Sequence, residues 1–383
     1  MITLIKQATL HAPAFSGQKD ILVSDQRIAA IADSIDIPND LPALSVVDAK
    51  GLIAVPGFID NHVHIAGGGG EGGFETRTPE IEASDLIKAG VTTVIGVRGT
   101  DGFTRTMKNF ITKAKSLRKK GLSCWILTGS YQVPVRTLTE SIELDIMLVD
   151  EIIGVGEIAI ADHRSSHPDV KDLTALVSSA RIGGMLAGKA GVVNIHLGSG
   201  ENGFDMIEAC LAQSEFPQRH LLPTHVNRNF ELLSRGFEYA KRGGFIDLTT
   251  SGYTEGKDDI RTKCSRALKM AIEDQVPVER ISFSSDGQGS LPVFDENFNF
   301  QGYGVGSCAS LLAEVRDAVV KEKIPLETAI RVITRNPAEM LQLHGKGKIE
   351  KGYDADIVLL KEDLSIAAVM AKGRFHKAGY TIR

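Results

Sequence analysis

Cysteine is scarce in this chain and never paired. Cys124, Cys210, Cys264 and Cys308 stand far apart, with no Cys-x-x-Cys among them. That spacing argues against a thiolate zinc site and against a disulfide framework, and it fits a reducing cytosol. No uninterrupted apolar run reaches the ~20 residues that a membrane-spanning helix needs. The N-terminal "MITLIKQATLHAPAF" has neither the basic start nor the long apolar core of a secretory signal. Excess positive charge is missing too: 43 Lys and Arg face 48 Asp and Glu, a formal net charge of −5. No general attraction to nucleic acid or to an anionic membrane is therefore expected. The basic run "KAKSLRKK" (113–120) is the local exception and reads as the solvated face of a helix. These absences predict a cytoplasmic globular protein.

What is present is organised in two textures. Residues 1–55 read as short strands with turn punctuation, and residues 345–383 resume that texture in "GKIEKGYDADIVLLKED" and "IAAVMAKGRFHKAGYTIR". A small β-rich domain, a β-sandwich built from both chain ends, is expected there. Residues 56–344 alternate apolar strand, loop and amphipathic helix. Eight strand candidates fall at 57–65, 91–97, 123–129, 152–161, 191–197, 220–226, 244–250 and 281–287. Helical segments such as "TPEIEASDLIKAG" and "NFELLSRGFEYAKRG" lie between them. Eight such units describe an α/β fold, a (β/α)8 TIM barrel.

In such a barrel the reactive groups gather at the C-terminal strand ends. Strand one ends in His62 and His64, and a His-x-His pair on a strand points both imidazoles to one face. Strand four carries Glu157, strand five His196, strand six His225, and strand eight ends in Asp286. Four imidazoles and two carboxylates exceed the needs of one tetrahedral zinc, so two divalent metals are the natural expectation. His62 and His64 would hold one metal, and His196 and His225 the other. Glu157 would bridge them, and Asp286 would ligate the first. A hydroxide shared between the metals would be the nucleophile, with Asp286 taking its proton and passing it to a leaving amine. The remaining histidines, His11, His163, His167, His220, His344 and His376, read as structural or surface residues. "GSGENG" (198–203) matches a dinucleotide fingerprint, but the next strand ends in "PTHV" without the required acid, so the match is read as accidental.

These residues are familiar. "PGFIDNHVH", two later histidines, "SSDG" and "GKGKIEKGYDADIVLL" resemble the amidohydrolase superfamily. "GGGGEGG…TRTPE", "LTGSYQVPVRT", "DHRSSHPDV", "LLPTHVNRN" and "FSSDGQGS" resemble, more narrowly, the isoaspartyl (β-aspartyl) dipeptidases. The resemblance spans essentially the whole chain. It implies a zinc hydrolase that cuts small peptides linked through the β-carboxyl of aspartate and assembles as a homo-oligomer. It also implies substrate contacts. Glu71 would meet the free α-ammonium group, Arg164 and Arg228 would grip carboxylates, and Ser290 would add a hydrogen bond. Tyr131 would stabilise the oxyanion, and backbone near Gly69 and Thr100 would complete the pocket.

One departure stands out. The family's bridging ligand on strand four is a carboxylated lysine in a stretch like "KCAISDH". Here "EIAIADH" puts Glu157 in that place, and the upstream "IGVG" holds one residue more. Glutamate keeps two anionic oxygens on a shorter arm and needs no CO2. The same ligand set also suits a cyclic-amide hydrolase of the dihydroorotase or hydantoinase kind, or a hydrolase of N-acyl acidic amino acids. Glu71 argues against a cyclic substrate, which offers no ammonium. A non-catalytic scaffold on this barrel would have no use for a poised Asp286.

Overall fold

The β-branched segments of the middle chain form parallel strands, since side chains stiff at χ1 suit a pleated surface. In the computed structural model, which describes residues 1–38, 43–200, 202–295 and 300–378, eight of them make up the barrel wall. They are β1 (Phe58–Val63), β2 (Val91–Gly96), β3 (Ser123–Thr128), β4 (Ile152–Ile160), β5 (Val192–Leu197), β6 (Leu221–Thr224), β7 (Ile246–Thr249) and β8 (Ile281–Ser284). The first six pair in chain order as one curled parallel sheet, and β7 and β8 form a second parallel pair. A parallel bridge between Val63 and Gly287 brings the far end of the wall back to β1.

Two seams of this wall are tied by side chains. Asp247, buried on β7, accepts from Thr224 on β6 (2.7 Å), from Ser282 (2.7 Å) and Ser284 (2.5 Å) on β8, and from Asn61 on β1 (3.1 Å). A single carboxylate thus links four strands across the places where backbone pairing lapses. Burial pushes its pKa up, and the hydroxyl donors oppose that.

Helices alternate with the strands and close with local signals. Val170–Ala187 begins in a capping box formed by Asp169 and Asp172 and stops at Gly188, whose φ of 65° is left-handed. Phe230–Lys241 starts at Asn229, which accepts from the Leu232 amide. The expected helix over 78–90 shrinks to Ala83–Lys88, because Thr78 is drawn into pairing with Gly68 (2.9 Å). The "KAKSLRKK" run lies on and just past Met107–Lys119, where Lys113, Lys115, Arg118 and Lys120 pair with Glu80, Glu82 and Glu151. Among the described residues no helix is long and apolar enough to cross a membrane.

The chain ends form a separate eight-stranded sheet. In it Ile53–Pro56 lies between Ile2–His11 and Ile357–Leu360, and Ile366–Ala371 and Arg374–Ala378 extend one edge. Its own core gathers Ile5, Ile21, Val47, Ala54, Ile357 and Met370. Buried Lys346 reaches Asp354 (2.7 Å), Asp356 (2.5 Å) and Ser123 at the start of β3 (2.6 Å), which locks this sheet to the barrel. Residues 379–383, within the last expected stretch, lie outside the described residues. A hairpin that sequence reading did not anticipate, Ser290–Phe294 with Phe300–Val305, stands over the barrel mouth.

Replacing Asp247 with Ala strands four buried donors, and unmet buried groups are costly. The expected loss is about 3 kcal/mol, read as a lower denaturant midpoint. An unchanged midpoint would mean that the seams hold without this carboxylate.

Candidate active site

Several expected strands end one to three residues early, at the residues that carry the chemistry. β6 stops at Thr224 and β8 at Ser284, and His225 and Asp286 then adopt positive φ of 61° and 52°. Leaving the strand conformation turns these side chains over the barrel axis. His62 and His64 arrive from β1 with ring centroids 5.7 Å apart. Glu157 comes from a bulge in β4. Val193 faces Val155, yet Ile195 faces Ile158, so β4 holds one extra residue there, and a bulge re-aims the side chain it carries. Gly156 enables it: its φ is +149°, and an added Cβ would lie 2.9 Å from Asn194 Cβ. The Gly156–Glu157 peptide bond is cis.

All six expected ligands meet at the barrel floor. Glu157 Oε2 lies 3.3 Å from His62 Nε2, 2.8 Å from His196 Nδ1 and 3.7 Å from His225 Nε2, while its Oε1 faces His64 Nε2 at 3.5 Å. Asp286 Oδ1 is 3.0 Å from His64 Nε2 and 3.8 Å from His62 Nε2. Two overlapping groups, His62–His64–Asp286 and His62–Glu157–His225, each bring one ligand atom per residue within 4.8 Å of the others. His196 belongs to neither group and joins the cluster through Glu157.

A metal fits this donor set on the structure's own terms. Both ring nitrogens of His62, His64 Nδ1, Glu157 Oε1 and Asp286 Oδ1 are buried without a well-aligned hydrogen bond, close as the imidazoles and carboxylates stand, an expensive state for polar atoms. The charges are coupled as well. Burial pulls the His62 imidazole down, but Glu157 outweighs it and raises the pKa to about 9. Burial and His196 push His225 down to about 3. Burial favours the neutral form of Asp286, yet His64, His225 and His62 hold its carboxyl well below the usual range.

Above the floor opens a cavity of about 970 Å³ lined by residues that include Gly69, Glu71, Thr100, Tyr131, Arg164, Arg228 and Ser290. These expected contacts meet one another. Glu71 accepts from Thr100 Oγ1 (2.9 Å) and Ser290 Oγ (3.2 Å) and lies 3.4 Å from Arg164 Nη1. Tyr131 Oη is 3.0 Å from His196 Nδ1, and Arg228 Nη2 is 3.1 Å from His196 Nε2. Burial raises the Tyr131 phenol well above its ordinary pKa, so it stays a proton donor at neutral pH.

Sequence reasoning missed Asp162. Its oxygens take Arg164 Nε at 2.9 Å and Nη2 at 2.8 Å, a fork-to-fork pair, and Oδ2 also reaches His196 Nε2 at 3.2 Å. The signal was present in "DHR", where an acid two residues before an arginine can aim it. Thr249 Oγ1, 2.6 Å from His225 Nδ1, orients that ring and had no sequence mark. The glycines of "GSGENG" serve close packing: a Cβ on Gly198 or Gly200 would come within 2.1 or 2.8 Å of Ala161 O. Glu201 of that motif lies outside the described residues.

Known proteins share this fold. Residues 53–375 match the model of the amidohydrolase family. A β-aspartyl dipeptidase of Fervidobacterium islandicum AW-1, solved in complex with β-Asp-Leu, is 43% identical with a TM-score of 0.92, over 100% of this chain and 98% of that one. A second structure of the β-aspartyl dipeptidase from that organism gives 42% and 0.90, over 100% and 99%. Among curated relatives, a dihydroorotase of Elusimicrobium minutum is 26% identical over 93% of this chain and 87% of its own length. The chain belongs to the amidohydrolase family and, within it, to the β-aspartyl dipeptidases.

Proposed function

We propose that this chain hydrolyses the isopeptide bond of β-aspartyl dipeptides. The observation that carries the reading is that one cavity presents charges of both signs, Glu71 together with Arg164 and Arg228, above the His and carboxylate cluster. A β-aspartyl dipeptide offers one ammonium and two carboxylates around its scissile amide, which matches that pattern of charge. The Fervidobacterium enzyme binds β-Asp-Leu.

His62, His64, Glu157, His196, His225 and Asp286 would hold two divalent ions, with zinc favoured by the imidazole and carboxylate donors. Such ions supply Lewis acidity and ionise water near neutral pH. Glu71, with Thr100 and Ser290, receives the α-ammonium group. Arg164, braced by Asp162, and Arg228 take the carboxylates with their remaining N–H groups. Tyr131 donates its Oη proton to the carbonyl oxygen as charge builds there. Asp286 accepts the proton of the attacking water and returns it to the leaving nitrogen. A homo-oligomer is supported by exposed Met147, Leu148, Ile182, Met185 and Leu186 on the neighbouring helices Ile142–Leu148 and Val170–Ala187. A cytoplasmic setting is supported by four free, buried cysteines.

The decisive assay compares metal-loaded wild type with Asp286→Asn on β-Asp-Leu, α-Asp-Leu and dihydroorotate. Wild type should turn over only the first efficiently. Asp286→Asn should lose about 10²–10⁴-fold in kcat while metal content falls only in part. Turnover of dihydroorotate in preference to β-Asp-Leu would overturn the reading in favour of cyclic amides. Arg228→Met should cost about 2–4 kcal/mol in kcat/KM through a broken buried charge contact, and a normal kcat/KM would remove Arg228 from the pocket.

Metal uptake should be linked to pH. His62, with its pKa near 9 in the metal-free protein, carries a proton at neutral pH that an incoming cation must displace. Binding therefore releases about one proton or more per protein, and affinity weakens as pH falls below 9. Calorimetry in two buffers of different ionisation enthalpy reads this directly. Identical heats in both would contradict it.

A further inference from the structure

Two arginines that the proposed chemistry does not use lie buried beside the mouth: Arg98 is 1% exposed and Arg105 7%. A permanent charge is costly to remove from water, and these two replace hydration with main-chain carbonyls. Arg98 donates to Gly129 O (2.9 Å), Arg105 O (2.8 Å) and Arg136 O (3.3 Å). Arg105 donates to Ala66 O, to Gly68 O (2.8 Å) and to Thr78 O (3.0 Å).

The carbonyls that Arg105 holds bracket the glycine run. Gly67 has φ of +78°, and a Cβ there would sit 2.6 Å from Arg105 Nη1 and 2.3 Å from Thr78 O. Glycine backbone is permissive and has no side chain with which to anchor itself, so this run must be fixed from outside. Arg105 does so with a planar fork whose donor directions are rigid. Thr78 adds a second tie: its Oγ1 accepts from Gly68 N (2.6 Å) and donates to Gln288 O (2.6 Å), in the loop that carries Asp286. Glu71 follows three residues after Gly68. Arg105 itself does not line the cavity.

From this geometry we infer that Arg105 is a positioning residue, which clamps the glycine run so that Glu71 meets the substrate's ammonium group from a fixed direction. The inference rests on the dipeptidase reading for its substrate. Losing Arg105 leaves proton transfer at Asp286 intact and loosens ammonium recognition. The effect should fall on KM and on selectivity, and kcat should be spared.

The test uses the metal-loaded enzyme with Arg105→Met and Arg105→Lys, assayed on β-Asp-Leu and on its N-acetyl derivative, which has no ammonium. Wild type should prefer the free amine. In Arg105→Met that preference should shrink about tenfold or more through KM, with kcat within about threefold. Arg105→Lys should recover part of it. The ratio of kcat/KM on two substrates does not depend on how much protein is folded, so a fragile variant still reports. A wild-type ratio in Arg105→Met overturns the clamp, whatever the total activity. Amide hydrogen exchange supplies a reading free of substrate: exchange should quicken in residues 66–73 of Arg105→Met, and unchanged exchange also overturns it. Wild type inert toward β-Asp-Leu would sink the dipeptidase reading while exchange still decides the clamp.

Discussion

Glu157 is a fully buried carboxylate, and an isolated charge in that position would cost far more than a fold of this size could spare. Its stability comes from company. Its two oxygens face four imidazoles delivered by three other strands or their ends, β1, β5 and β6. Burial pushes the carboxyl toward the neutral form, but His62 and His196 hold its pKa well below the ordinary value. The anion needs cations around it, and the imidazoles need the anion. Neither can be placed without the barrel that makes distant segments converge.

The mouth repeats this logic where solvent screens the charges more strongly. Arg164 is clamped by Asp162 before any ligand arrives, so its orientation entropy is already spent and its planar fork is preset. Glu71 is held by the hydroxyls of Thr100, in a loop, and Ser290, at the start of the hairpin, which leaves its charge to balance Arg164 and an incoming ammonium. Two guanidiniums behind the loops, Arg98 and Arg105, organise carbonyls and never enter the cavity. Preorganisation of this kind reduces what a bound substrate must order.

Much of this was legible in the sequence because the barrel imposes a simple geometry. Period-two spacing put His62 and His64 on one face, and strand-end position singled out His196, His225 and Asp286. What stayed hidden depended on folding to give a residue its neighbours. Nothing in the sequence marks Arg98 and Arg105 as buried, since arginines in general face water. Asp247 carries no local signal within "GFIDLTT", and its tie between four strands arises only once they converge. The hairpin over the mouth was masked by Pro292, Gly302 and Gly304, residues that weaken a strand pattern. The expected helix at 78–90 lost its first turn to Thr78, whose pairing with the glycine run no local propensity records.

The glutamate at the floor and the glycine before it are best understood together. A carboxylated lysine reaches the barrel centre on a long arm, and glutamate ends well short of it. One way to make up that distance is to move the backbone. The bulge in β4 does this by inserting one residue between Val155 and Ile158, and Gly156 takes a conformation that a side chain would obstruct against Asn194. A shorter side chain, an extra strand residue and an obligatory glycine therefore form one unit. Exchange of Glu157 for lysine alone would leave the bulge in place and drive the longer arm past the cluster. For a lysine to stand in this place, Glu157, the bulge and Gly156 would have to be exchanged together.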